Sequence, residues 1–307
     1  MKRVVAMIKK LIGIIILIII LWGVYVAYSV TTSPPVFKAR WGQVTEEKTE
    51  IVITGKFQRP LLVPAKVDNL TMYFTGVKVA ELEKFDYNPT KTNVTLVIAL
   101  SNPNLIRAFA NYLNGGQKGY FEIDIAGKAL SVIPFNFKVK ENFTMDILDK
   151  LNFTAESKPV LGGLAETPAL LGTKVRWLGE EKNKGRLDVE MLLYNPNSFP
   201  IPVTNLTFNL YANGIKIGTG YLKEGKIIPA NGYAKLDAIV VIDENQLPKV
   251  WAIHVRNGER SKVDVEIMLS ANLAGRSIEI PLKTESVEVQ THIMEDINKA
   301  LENITRR

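Results

Sequence analysis

Val67-Asp68-Asn69-Leu70-Thr71 is written again, 136 residues later, as Val203-Thr204-Asn205-Leu206-Thr207. The same offset joins Arg40-Trp41 to Arg176-Trp177, and Pro60 and Pro64 to Pro196 and Pro200. Further on the offset becomes 142. There Leu105, Phe109, Ala110, Leu113 and Gly116 return as Leu247, Trp251, Ala252, Val255 and Gly258. Phe121-Glu122-Ile123-Asp124-Ile125 returns as Val263-Asp264-Val265-Glu266-Ile267. Residues 40–139 and 176–287 therefore read as two copies of one domain, each of about a hundred residues. What recurs belongs to the fold, and what stands in one copy only marks divergence.

The copies read as strands. Glu50–Thr54, Val94–Leu100 and Tyr120–Ile125 alternate or are rich in β-branched residues, as do Leu187–Leu193, Leu206–Tyr211, Leu236–Ile242 and Val263–Leu269. Asn213-Gly214 is a two-residue hairpin signal. Short strands broken by turn residues predict antiparallel β-sandwiches of the immunoglobulin or fibronectin type. One stretch per copy breaks the pattern. Leu105, Phe109, Leu113 and Leu247, Trp251, Val255 recur at helical spacing, stopped by Asn114-Gly115-Gly116 and Asn257-Gly258. Each sandwich thus carries one short helix with its aromatic toward the core. Further helical stretches are expected at Met145–Leu151 and Ile293–Leu301.

Before the first copy, Leu11 to Val30 is uncharged throughout. Twenty helical residues span about 30 Å, the thickness of a bilayer's hydrocarbon core. Lys2, Arg3, Lys9 and Lys10 precede the run, and Trp22, Tyr25 and Tyr28 stand near its far end. Cations inside and aromatics at the interface predict a single transmembrane helix with a cytoplasmic N-terminus. A cleaved signal is the rival reading, with Ala27-Tyr28-Ser29 as its site, but the run exceeds a usual signal core. The organisation expected is a basic tail over 1–10, a transmembrane helix over 11–30 and a first, divergent domain over 36–153. A linker over 154–173 and a second domain with a C-terminal helix over 174–307 follow.

The net charge of +7 comes largely from the tail, since beyond its four cations 34 basic residues face 31 acidic ones. Interleaved charges of both signs describe a solvated surface and give no nucleic-acid partner. With no cysteine and two histidines, thiol and most metal chemistry is excluded, and no cofactor or metal site is expected. No nucleophile elbow, phosphate loop or calcium loop occurs. His254 is expected on a rim, His292 at a solvated helix start, and Asp243-Glu244 as an N-terminal cap. Six Asn-x-Thr sequons, at Asn69, Asn93, Asn142, Asn152, Asn205 and Asn303, are candidate glycosylation sites if the domains face outward.

Tyr194-Asn195-Pro196-Asn197, then Phe199-Pro200-Ile201-Pro202-Val203, Asn205-Leu206-Thr207 and Asn213-Gly214, resemble the WHy (water stress and hypersensitive response) domain. That domain belongs to the late-embryogenesis-abundant, desiccation-related family. The resemblance covers about residues 174–287 and reaches 40–139 through the repeat. It implies a seven-stranded antiparallel sandwich with one helix and no established catalytic activity, in soluble or single-pass anchored proteins. The first copy departs from it, with Arg59-Pro60-Leu61 opposite Asn195-Pro196-Asn197. Asn102-Pro103-Asn104 falls opposite Glu244-Asn245-Gln246 and reads as a local turn. Asn-Pro-Asn itself has a scaffold explanation, because proline favours extended backbone before it and asparagine caps turns.

The expected function is that of a non-catalytic, membrane-anchored extracytoplasmic module for binding or stress protection. An alternative is an apolar-ligand cleft between helix and sheet, lined by Phe109, Leu113, Trp251 and Val255, with lipid or an envelope protein as partner.

Overall fold

The computed structural model describes residue 13 and residues 35–58, 60, 64–144, 146, 148–273 and 276–305. The basic tail and all of the apolar run but Gly13 lie outside the described residues. Among the described residues no helix is long and apolar enough to cross a membrane. The chain divides into two compact units that interleave along the sequence. Unit 1 takes the chain to Met145, together with Trp251–Glu259 and Gln290–Arg307, and unit 2 takes Asp146–Val250 and Arg260–Val289. The C-terminal segment expected to close the second domain thus belongs to the first.

Unit 1 holds β1 (Val36–Val44), β2 (Lys48–Lys56), β3 (Ala65–Phe74), β4 (Val77–Tyr87), β5 (Asn93–Ser101), β6 (Lys118–Ala129) and β7 (Ile133–Thr144). Helix α1 (Asn102–Asn114) joins β5 to β6. The strands hydrogen-bond as one antiparallel path, β1-β2-β5-β4-β3-β6-β7. Two separate packed sheets were expected. The path is continuous because β4 pairs with β3 through Val77–Glu81 and with β5 through Ala80–Tyr87, bending at bulges as it passes between them. Phe37 of β1 and Phe135 of β7 come from opposite ends of that path, yet both pack on Phe57 and Val94. The sheet is therefore rolled around its apolar face. Tyr112 of α1 is fully buried and tilts against Phe74, while Phe109 meets Phe74 edge-on.

Asn102-Pro103-Asn104, read as a local turn, is the first turn of α1. Ser101 is its N-cap, accepting from the Asn104 amide, and proline in the first turn costs no hydrogen bond. Two later segments complete the unit, the end of α2 (Leu247–Arg256) and the helix α3 (Ile293–Thr305). Asn298 of α3 accepts from the Ala39 amide and donates to the Ala39 carbonyl, which ties the helix to β1 as an added edge partner.

Unit 2 contains short strands β8 (Pro159–Val160) and β9 (Ala165–Glu166), then β10 (Ala169–Glu180), β11 (Lys184–Asn195), β12 (Ile201–Ala212) and β13 (Ile215–Leu222). It ends with β14 (Lys226–Ile228), β15 (Gly232–Asp243), β16 (Arg260–Leu273) and β17 (Arg276–Gln290). The main path, β10-β11-β15-β13-β12-β16-β17, repeats the order of unit 1 strand for strand. Even the bulges recur, at Val67/Asn69 against β6 and at Val203/Asn205 against β16. Asn213-Gly214 forms the hairpin between β12 and β13, with φ of 53° and 76°. The core gathers Met191, Leu193, Leu206, Ile228, Leu236 and Leu269.

Two expectations need correction here. The stretch 154–173 is not a bare linker, since β8, β9 and the start of β10 lie within it. Of the helix expected over Met145–Leu151, the described residues form a single 3-10 turn, Leu148–Lys150. It stops because the chain turns to bond β10. Thr173 Oγ1 donates to the Leu151 carbonyl at 2.6 Å, and the Thr173 amide donates to Asn152 Oδ1 at 2.8 Å.

Candidate functional site

The buried polar groups of each unit converge in nodes, and the bonding of those nodes decides what chemistry they can do. In unit 1, Glu259 is buried at the end of the loop after α2 with φ of 63°. Its Oε1 accepts from Trp41 Nε1 at 3.1 Å and from the Met294 amide at 2.8 Å. Its Oε2 accepts from Thr291 Oγ1 at 3.0 Å and from the Ile293 amide. Glu259 is thus the cap of α3, a carboxylate at a helix N-terminus where the dipole favours it. Trp41 and Trp251 meet edge-to-face, 6.4 Å between centroids. His254, expected on a rim, is buried beside them, its Nε2 2.9 Å from Thr291 Oγ1. Burial pushes its pKa down, against the opposing pull of Glu259. His292 stands exposed 3.4 Å from Glu295 at the start of α3.

A second node in unit 1 centres on Asn102, which is fully buried. Its Nδ2 donates to the Thr45 carbonyl at 2.9 Å and the Glu46 carbonyl at 3.0 Å. Its Oδ1 accepts from Thr49 Oγ1 at 2.9 Å, and Thr49 Oγ1 in turn accepts from Trp251 Nε1 at 3.1 Å.

In unit 2, Asn195 Nδ2 donates to the Phe199 carbonyl at 2.8 Å and the Pro229 carbonyl at 3.1 Å. Asn195 Oδ1 accepts from the amide and the side chain of Asn197. The Asn197 side chain pairs with the backbone of Glu166 in both directions at 2.8 Å. Pro196 stands between them. Asn-Pro-Asn thus locks the end of β11 to the turn before β15 and to β9, and its amide groups are spent on the chain itself. Asp188 is buried under Arg176 (2.7 Å) and Lys223 (2.5 Å). Burial pushes its carboxyl up, but the bonds from Lys223 and Arg176 prevail and hold it below the usual range.

Glu244 is the exception. It lies buried in the 3-10 turn before α2, where Asp243 caps the turn by accepting from the Asn245 amide at 3.1 Å. Burial, then Glu180 and Asp243, raise its pKa to about 7.

None of these nodes pairs a nucleophile with a base, and among the described residues no group of three His, Asp or Glu side chains could hold a metal. The four residues assigned to an apolar cleft fall as follows. Phe109 and Leu113 are half-buried on α1, Trp251 is half-buried against Trp41, and Val255 is buried in α2. The apolar cavity in unit 1 has other walls. It measures about 30 Å³ and is lined by residues that include Phe37, Ile53, Phe85, Val94 and Phe135. Sequence reading missed this cluster because its three aromatics come from three strands far apart in the chain, β1, β4 and β7. Of the sequon asparagines, Asn69, Asn93, Asn142, Asn152 and Asn205 are exposed. Asn303 lies in α3.

Residues 190–286 match the family model described as late embryogenesis abundant protein. The match covers β12 to β16 with half of β11 and most of β17. It therefore supports a domain of the late-embryogenesis-abundant type in the second repeat. No curated protein matches the chain. Among solved structures, a protein from Archaeoglobus fulgidus is 20% identical over 40% of this chain and 98% of its own, with a TM-score of 0.35. A protein from Arabidopsis thaliana, solved in solution, is 19% identical over 40% of this chain and 80% of its own, with a TM-score of 0.31.

Proposed function

We propose that the chain is a single-pass membrane protein whose two β units stand outside the cytoplasm as a non-catalytic binding or stress-protective module of the envelope. The observation that carries the reading is the join between sequence and fold. An uncharged run of twenty residues, with four cations before it and no charge in the five residues that separate it from Val36, leads into the start of β1. The late-embryogenesis-abundant match of the second repeat supports the protective role. The saturation of the buried nodes supports a scaffold over a catalyst. The five exposed sequon asparagines are accessible for glycan attachment in that location.

The apolar-ligand alternative gains one observation, the cavity behind Phe37 and Phe135. At about 30 Å³ that cavity has room on the scale of one or two waters and none for an acyl chain.

The test is topological. Membranes of cells expressing the full chain should retain it through alkaline carbonate. Protease added to intact spheroplasts should remove both units and spare the tail. Release by carbonate, or protection of the units from protease, would overturn the reading.

A further inference from the structure

The described residues of unit 1 expose four large apolar side chains, and all four are at one end. They are Val36 (55% exposed), Leu130 (47%), Val132 (75%) and Ile133 (39%). Strand register shows the shared end. Val36 pairs with Lys56, Lys56 with Asn93, and Tyr87 with Val94. Ala65 at the start of β3 and Tyr87 at the end of β4 both pack against the Phe57–Val94 cluster, which keeps the two at this end. Ala65 then pairs with Ala129, and Ala129 with Ile133. The opening of β1 and the β6–β7 turn therefore lie at the same end of the rolled sheet. In unit 2 the exposed apolar residues are instead spread over several strands, among them Leu178, Leu192, Tyr221 and Ile227.

The β6–β7 turn is built against preference. The Val132 amide donates to the Ala129 carbonyl at 3.2 Å, with φ of 51° at Leu130 and 60° at Ser131. This left-handed pair is the hairpin geometry that Asn213-Gly214 supplies in unit 2, where it suits those residues. Leucine is among the residues it suits least. A branched apolar side chain is thus held out at a tip where Asn or Gly would be easier. Observed strain of this kind points to a use for the residue.

The rim of this end is cationic. Lys66 and Lys128 stand directly opposite each other on β3 and β6, a pairing that repels. Lys66 is held by Asp68 at 2.6 Å. Lys56, Lys91 and Lys128 have no ion pair among the described residues.

We propose that the β6–β7 hairpin tip is a second membrane contact. On this proposal Leu130, Val132 and Ile133 enter the headgroup boundary of an anionic lipid surface, and Lys56, Lys66, Lys91 and Lys128 meet its phosphates. The inference rests on the tether reading. The chain arrives at this end from the apolar run, and the six extended steps from Val30 let Val36 stand no more than about 20–22 Å from it. Apolar tip, basic rim and tether point the same way, which is the composition of an interfacial anchor. Unit 1 then stands upright on the bilayer instead of swinging from residues 31–35.

The chain has no cysteine, so Val132→Cys gives a unique labelling site. The full-length variant would be labelled with a nitrobenzoxadiazole dye and reconstituted in phosphatidylcholine vesicles with and without phosphatidylglycerol. Lys182→Cys, at the exposed turn between β10 and β11, is the control. The proposal expects a blue-shifted label at 132 that doxyl-lipid quenches and a label at 182 that it does not. Quenching at 132 should weaken without phosphatidylglycerol. It should fall further with Leu130→Asn, a change that suits the turn and removes only the apolar tip. Vesicles that carry the chain while the label at 132 behaves like that at 182 overturn this proposal alone. A chain that does not float with the vesicles overturns the tether reading, and this proposal with it.

Discussion

Asn102 and Glu244 occupy one position in the two copies, and so do Thr49 and Gly185. The backbone treats the pairs alike. The Asn102 amide donates to the Glu47 carbonyl at 2.9 Å, and the Glu244 amide to the Asn183 carbonyl at 3.0 Å. Glu47 and Asn183 are themselves one repeat apart. The side chains then diverge. In the first copy an amide and a hydroxyl close a neutral network of four hydrogen bonds over the β1–β2 turn. In the second, Gly185 has no side chain and the Trp177 ring fills its place, with the Glu244 carboxyl alongside. The copies thus keep the strand order and the turn closure while exchanging a pH-indifferent lock for a titratable one. Repetition fixes the frame, and the buried polar residue within it is free to change.

The comparison breaks most sharply at Asn102. Asn102→Ala removes the donor to the half-buried Thr45 and Glu46 carbonyls and the acceptor of the buried Thr49 hydroxyl. Loss of about 2–4 kcal/mol is expected, the upper range for a multiply bonded buried amide. Urea unfolding followed by hydrogen exchange should show the loss at β1, β2 and α1. Exchange that speeds up uniformly over the chain would count against this network as a local lock.

Gly185→Ala tests the other copy. A β-carbon there would lie 2.5 Å from Trp177 Cη2 and 2.7 Å from its Cζ3, so the ring must leave its seat. Overpacking of this sort costs about 1–3 kcal/mol. The Trp177 emission should shift as the midpoint falls, and unchanged stability would mean the ring does not define the position.

Much of this frame was legible beforehand, and the illegible parts share a cause. Alternation exposed Val94–Leu100 as β5 and Leu236–Ile242 within β15, because one face is core and the other solvent. Val77–Tyr87 carries five charged residues in eleven and hid β4, a strand that turns partway between two partners. Asn102-Pro103-Asn104 looked like a turn because its asparagines are turn formers. The preceding Ser101 cap was the available signal for a helix. His254 looked peripheral because its cover, Thr291 and α3, lies far along the chain. The assignment of α3 to unit 1 rests on Ala39 with Asn298 and on Trp41 with Glu259, pairs separated by 259 and 218 residues. No local pattern announces contacts of that range. The Leu130 tip was missed for the opposite reason. Its strain is a backbone property, and Leu130-Ser131 carries no turn signature to betray it.

The smallest effect is the most diagnostic. Glu244 has its pKa raised by burial, Glu180 and Asp243 to about 7, against 4.5 as the ordinary value. The folded state therefore holds a proton between those pH values that the unfolded chain has released. Stability must fall as pH rises from 4.5 to about 7, and the loss is complete above that. Solvent screening reduces the effect to about 1–2 kcal/mol. Glu244→Gln should remove the slope and raise stability at pH 8 by that amount, leaving stability at pH 4.5 nearly unchanged. His254 works in the same window with the opposite sign. Its depressed pKa makes the fold lose stability as pH falls below 6.5, so the raw profile mixes two trends. The difference between Glu244→Gln and the parent chain, measured in urea from pH 4.5 to 8, cancels the histidine and isolates the carboxyl. A flat difference would show that Glu244 is ionised throughout and that the second copy, like the first, keeps a lock indifferent to pH.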